Sequence, residues 1–263
     1  MSKNDDSSGE AGLRKDGSLE PFGFHAFQQD RRSSALRKYQ DLFVGNRSLW
    51  DLLKFELLTV GLTNLSGMLG FFLRQRLYRF LFKHLGKGVV IGPGVTLRQP
   101  GKISIGNGCV IDEQTRLSVQ GSGQAEIRLG QGVFVGRGSI INTRGGTVDI
   151  ADHTTIGSYC RISTLASVTI GKYGMIAAYC YIGGGNHGSD RTDVPMALQE
   201  PINRGGVRIG DDVWIGAHTT VADGVTIGRG SIIGAMSFVN KDVAEYSIAF
   251  GCPARVFRKR LPE

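Results

Sequence analysis

The chain has 263 residues, 41% of them hydrophobic, with 39 glycines against 7 prolines and a formal charge of +8. That is enough apolar material for a substantial core, and it excludes a collagen-like, low-complexity or wholly disordered chain. The charge is local: residues 31–88 hold eleven Lys and Arg against Asp41, Asp51 and Glu56, while the remainder balances twenty against twenty.

Residues 1–30, opening "MSKNDDSSGEAGLRKDGSLEP", are polar and lack the apolar run of a secretory signal, so a flexible tail is expected. The four cysteines show no CxxC spacing, which suits a reducing cytoplasm and argues against a zinc or redox pair.

Residues 31–88 form the basic segment. In "SLWDLLKFELL", Ser48 stands three residues before Asp51, a capping-box-like start, and apolar residues follow at helical spacing. "GFFLRQRLYRFLFKHLGK" then mixes aromatic and aliphatic residues with Arg74, Arg76, Arg79 and Lys83. Amphipathic helices are expected here. They would either close the open end of the domain that follows or lie on an anionic membrane surface through 57–88, with Phe71, Phe72, Phe80 and Phe82 inserted. The uncharged run "LLTVGLTNLSGMLGFFL" falls short of the roughly 20 apolar residues of a spanning helix. Nucleic-acid binding has no recognition motif to support it.

From residue 89 a six-residue beat sets in. Aliphatic residues recur at Ile105, Ile111 and Leu117; Leu129, Val135 and Ile141; Ile150, Ile156 and Ile162; Ile170, Ile176 and Ile182; and again from Ile209 to Val239. Six residues suit one short strand and a tight turn, three such units make a coil, and stacked coils make a parallel β-solenoid with an aliphatic interior. Extra residues between Leu117 and Leu129, Ile141 and Ile150, and Ile162 and Ile170 should bulge at corners. Cys109, Cys160 and Cys180 share the small inward position of Val133, Ser139 and Thr154, so they read as packing thiols. His153 and His218 fall on outward positions, no histidine pair is close in sequence, and no metal site is expected.

The beat stops after "CYIGGG", at about Gly183, and resumes after Gly206, leaving His187 at the start of an excursion that also carries Asp190, Asp193 and Glu200. Asn186 holds the last inward-phase position before it. Histidine titrates near neutrality and suits proton removal from a hydroxyl.

Over roughly Ile91 to Arg258 the chain resembles the left-handed parallel β-helix acyltransferases of the hexapeptide-repeat family, chiefly sugar O-acetyltransferases of the maltose, galactoside and exopolysaccharide groups. The motifs are "VRIGDDVWIGAHTTVADGVTIGRGSIIGAMSF", the spacing through "IGKYGMIAAYCYIGGGNH", and the closure "GCPARVFRKR". The "GGGNH" run is also similar to xenobiotic acetyltransferases. The resemblance implies a mainly β fold: a left-handed solenoid over 89–250 with a protruding active-site loop at 183–206, an N-terminal helical segment and a basic closure at 251–263. It implies an acetyl-CoA-dependent O-acetyltransferase acting on a sugar hydroxyl of a glycan or exopolysaccharide precursor. Amino-sugar or xenobiotic acetylation and a non-catalytic scaffold are the alternatives.

The same resemblance implies His187 as general base and the Ala217 amide as oxyanion donor. It places Ala217 and Ala235 along the pantetheine, Asn240 and Lys241 near the cofactor arm, and Arg255 and Arg258 on the phosphates, with no metal. It also implies a homotrimer with the site between subunits. Asn186, Asp190 and Asp193 are candidate acceptor contacts, and Trp214 either walls the cofactor groove or packs a subunit interface.

Overall fold

The structure is a computed structural model describing residues 33–121, 123–184 and 186–260, with Asn186, His187 and Pro201 described by their backbone. The expected tail at 1–30 lies outside the described residues.

Among the described residues three sheets wind into a solenoid of seven coils. The first coil sets the pattern: His84–Leu85 opens the first sheet, Val90–Ile91 the second and Thr96–Arg98 the third. Each strand pairs in parallel with its counterpart one coil on, in a register that stacks aliphatic on aliphatic, as in Ile111 on Val135 and Ile162 on Ile182. The inward positions from Ile91 to Val239 are buried in one continuous core, each full burial contributing about 1.5–3 kcal/mol. The six-residue beat is therefore the core itself, and the side chains of Cys109, Cys160 and Cys180 are buried within it. Their thiols donate to the carbonyls of Gly130, Ala177 and Gly216 respectively. Coil-to-coil spacing also dictates composition. A Cβ on Gly216 would lie 2.5 Å from the Ala235 nitrogen, so no side chain fits there.

The extra residues that interrupt the beat all fall at one corner, between the third and first sheets. Third-sheet strands there lengthen to Arg116–Gln120 and Ile140–Arg144, and the excursion leaves from that corner too. At the far end, Ser247–Gly251 adds in parallel to the second sheet and Ala254–Lys259 folds back antiparallel on it.

The basic segment caps the first coil. It comprises α1 (Ala35–Tyr39), a π-helical turn (Gln40–Val44), α2 (Leu49–Leu62) and α3 (Gly67–Leu77). Ser48 is the N-cap of α2, its hydroxyl accepting from the Asp51 N–H at 3.2 Å, which satisfies an otherwise orphan donor. Phe55, Leu62, Tyr78, Leu81 and Phe82 join the solenoid core. Backbone bonds stitch the two parts together, from Gly94 to the Thr63 carbonyl at 2.6 Å and from Gln99 to that of Phe43 at 2.7 Å.

This packing corrects the expected lipid-facing set. Phe82 is 7% exposed and belongs to the core, because the chain after α3 turns into the first coil and carries that ring inward.

Candidate active site

The third-sheet strand Tyr181–Gly184 stays paired with Arg161–Thr164 through its last residue, so the chain departs two residues later than the beat implied. Gly183 is the hinge. Its φ of +100° lies in the region that glycine alone enters freely, and a Cβ there would meet the Ser163 carbonyl oxygen at 2.2 Å. Asn186–His187 then pairs antiparallel with Pro201–Ile202, and the Gly188 N–H donates to the Glu200 carbonyl at 2.9 Å. The backbone of His187 is thus clamped in a two-stranded ribbon beside the solenoid wall.

The rest of the excursion is held by Gln199. Its amide nitrogen donates to the carbonyls of Arg191 and Val194 at 2.7 and 2.8 Å. The return is tied by the Arg204 N–H donating to Asp223 at 2.9 Å. Of the candidate carboxylates, Asp193 pairs with Arg191 at 2.5 Å, and the guanidinium holds its carboxyl below the usual range. Asp190 and Glu200 are exposed.

Ala217 and Ala235 lie on successive coils at another corner, between the second and third sheets. The Met236 N–H donates to the Ala217 carbonyl at 2.8 Å, while among the described residues neither alanine's own N–H has a protein acceptor. These amides are free to meet a ligand. Beside them runs an exposed aromatic ladder that the sequence reading missed: Tyr159, Tyr179 and His218 stack with ring centroids 5.3 and 4.8 Å apart, tilted by 14° and 5°. All three occupy left-handed corner positions. Their signal in the sequence is an aromatic or histidine three residues after the inward aliphatic, where Gly138 stands one coil earlier.

Trp214 lies on the outer face of the second sheet, in register with Met175 on one side and Ile232 on the other. It is 48% exposed, and Met175 and Phe134 are also exposed. Arg255 sits on the closing hairpin opposite Phe250, next to the Ala217–Ala235 corner, whereas Arg258 is further along, opposite Ile248. Asn240 and Lys241 follow Phe238–Val239 and therefore occupy the other edge of the third sheet.

The candidate residues thus divide into two groups. His187, Asn240 and Lys241 mark the third-to-first corner; Ala217, Ala235 and Arg255 mark the second-to-third corner. The strand rise places these corners on the order of 15 Å apart across the third sheet, so the backbone of His187 and the amides of Ala217 and Ala235 stand at opposite edges of it. Among the described residues no cluster of His, Cys, Asp and Glu is placed to hold a metal. A cleft of about 390 Å³ between Lys83, Lys102 and Arg128 involves no residue of the excursion.

The family described as bacterial transferase hexapeptide (six repeats) matches residues 206–241. WbbJ of Escherichia coli K12, which carries the name of a lipopolysaccharide biosynthesis O-acetyl transferase, is 31% identical over 140 residues, 51% of this chain and 71% of its own length. Rv3034c of Mycobacterium tuberculosis, named as an acetyltransferase, is 35% identical over 136 residues, 52% of this chain but 45% of its own. The chain therefore spans about half the length of that relative. Among solved structures, AntD, an N-acyltransferase from Bacillus cereus in complex with dTDP and 3-hydroxybutyryl-CoA, aligns with a TM-score of 0.50 at 22% identity, covering 76% of this chain and 90% of AntD. That likeness is one of fold.

Proposed function

Because the chain belongs to the hexapeptide-repeat transferase family, we propose that it is an acetyl-CoA-dependent O-acetyltransferase acting on a sugar hydroxyl, with His187 as general base. The observation that carries this is the clamping of His187 in a ribbon where the solenoid breaks after its fifth coil. The lipopolysaccharide name of the Escherichia coli relative supports a glycan acceptor. In the reaction the imidazole takes the acceptor's hydroxyl proton, the oxygen attacks the thioester carbonyl, and a backbone N–H stabilises the oxyanion. The C–S bond then breaks and the imidazolium returns the proton to the departing thiolate. Ala217 supplies the free amide, with Ala235 next to it; Arg255 and Arg258 suit the phosphates of CoA, and Asn240 and Lys241 its arm. The substrate thioester belongs to the cytoplasm. Calorimetry with acetyl-CoA and a thiol-release assay over a panel of sugars test the reading. Tight thioester binding with sugar-dependent thiol release is expected, and absence of thioester binding overturns it.

The separation of base and amide within one chain supports a site completed by a second copy. Three-fold closure, in which each excursion meets a neighbour's second-to-third corner, yields three equal sites. The exposed Phe134, Met175 and Trp214 row and the aromatic ladder provide apolar surface for that contact. Trp214→Asp is expected to convert trimers to monomers in sedimentation velocity and to abolish transfer. A trimeric variant would refute the assignment of this face.

The cap supports peripheral attachment to an anionic membrane. Leu49, Trp50, Leu53, Leu57 and Val60 share one face of α2 and are 49–78% exposed, opposite the buried Phe55 and Leu62. On α3, Met68, Leu69 and Phe72 are also exposed, and exposed Arg76 and Arg79 follow them. Apolar side chains bordered by cations suit an anionic lipid surface. No helix among the described residues is long and apolar enough to cross a membrane. The wild-type protein is expected to co-sediment with phosphatidylglycerol vesicles at low salt, and a Leu53→Asp/Leu57→Asp variant to stay in the supernatant; equal behaviour of the two sinks the attachment.

A further inference from the structure

The third sheet carries four arginines, Arg98, Arg116, Arg144 and Arg161, and no aspartate or glutamate in any of its strands. Several arginines on other faces are matched: Arg128 with Asp149 and Glu126, Arg137 with Glu113, Arg260 with Asp212. Among the described residues none of the four has a carboxylate within salt-bridge reach. Arg98 instead lies 4.8 Å from the ring of Phe43, and Arg116 donates to the Thr96 hydroxyl at 3.3 Å.

Strand register turns these residues into a trough. Its floor is the row Arg98, Ser118, Asn142, Ser163 and Gly183, each directly beside the next. Arg116 and Arg161 stand in the row on one side, with Ile140 between them, and Arg144 stands in the row on the other. Ser118 and Asn142 are only 2% and 6% exposed, although strand alternation turns them outward, so the longer side chains beside them close over the floor. The Asn142 amide donates to the Ser163 hydroxyl at 3.3 Å. Four coil spacings make the floor about 19 Å long. One end is Arg98, against the cap; the other is Gly183, where the chain leaves for His187. Burial and the neighbouring charges of Arg116 and Arg144 push the Arg98 guanidinium down from its usual range, so positive charge is concentrated here without an internal counterion.

We propose that this trough binds the acidic groups of the acceptor, which is accordingly a glycan with repeated anionic groups lying along the third sheet with one hydroxyl at His187. The inference rests on the acetyltransferase reading above and adds the acceptor's chemical class. Guanidinium groups grip carboxylates and phosphates through paired N–H donors. Arg116 and Arg161, two coils apart, are separated by about 10 Å along the sheet, which suits one charge per short saccharide repeat. Of the polar floor, Ser163 stays partly exposed, so its hydroxyl is the group left to meet a sugar hydroxyl, between the exposed Arg116, Arg144 and Arg161. Uronate carboxylates and phosphodiesters share this chemistry.

The test uses the full-length protein and an Arg116→Gln/Arg161→Gln variant with three oligosaccharides of equal length: an oligogalacturonate, a phosphodiester-linked glycan and a neutral dextran oligomer. Binding is followed by calorimetry and transfer by thiol release. An anionic oligomer is expected to bind at least tenfold more tightly than dextran. The variant should lose on the order of tenfold or more in that affinity, raising acceptor KM while kcat, acetyl-CoA binding and Tm stay unchanged. The oligomer that wins identifies the anion as carboxylate or phosphodiester. The proposal is overturned if dextran binds equally, if the variant binds like wild type, or if a single-stranded oligonucleotide of the same charge competes as well as the glycans. Loss of thioester binding while anionic glycans still bind would instead refute the acetyltransferase reading and leave the trough standing.

Discussion

His187→Ala is expected to lower kcat/KM for acetyl transfer by about 10²–10⁴-fold, the range over which a positioned general base contributes, and to leave acetyl-CoA affinity unchanged. The variant is clean because the residue's backbone is held by pairing with Pro201 across the ribbon and by the neighbouring Gly188 bond to Glu200, neither of which needs the imidazole. Steady-state kinetics on the preferred acceptor, with calorimetry on the thioester, separate the two effects. Undiminished transfer removes His187 from the mechanism. Loss of thioester binding in the variant would assign the histidine to cofactor binding instead.

The second large effect is expected at Arg74, which is 2% exposed and, among the described residues, has no carboxylate partner. Its guanidinium donates to the carbonyls of Ile91, Leu62 and Leu65 at 2.8, 2.9 and 2.6 Å. It thereby joins the end of α2, the turn into α3 and the second-sheet strand of the first coil. Burial pushes its pKa down, and the three carbonyls compensate for the lost water. Arg74→Met fills the space and removes the buried charge, yet leaves the Ile91 and Leu65 carbonyls without the guanidinium, at about 1–3 kcal/mol each, while Leu62 keeps only the 3.3 Å bond from the Leu65 N–H. A loss of about 3–5 kcal/mol, after partial relaxation, is expected. It should appear as a lower Tm and as protease cleavage between α2 and α3 while the solenoid survives. An unchanged Tm with an uncleaved cap would show that the cap is held by apolar packing alone.

Much of the fold was legible because a solenoid is nearly one-dimensional. A six-residue beat with in-phase aliphatics has one efficient burial solution, so Ile105 through Val239 announced the core, and Cys109, Cys160 and Cys180 announced its small positions. Ser48 marked its helix start because capping is local. His153 and His218 were placed outward by phase alone, and each stacks on a neighbouring tyrosine at a corner. The site was legible only as far as spacing reaches: the break after Ile182 and the histidine beyond it.

Other features needed the third dimension. Leu49, Trp50, Leu53, Leu57 and Val60 look like core in the sequence, since α2 is apolar on both sides, and only the docking of Phe55 and Leu62 inward shows which side is left exposed. Phe82 reads as lipid-facing only under the membrane alternative, and the turn into the first coil buries it. Arg98, Arg116, Arg144 and Arg161 are scattered over 64 residues with acids among them in sequence; stacking collects them on one wall and sends those acids to other faces. What the sequence by itself determined is the repeating coil and the point where it breaks, because both are set by neighbours a few residues apart. Which faces are apolar, cationic or open, and the separation of His187 from Ala217 across a sheet, were decided by tertiary structure alone, since those relations join residues from different coils.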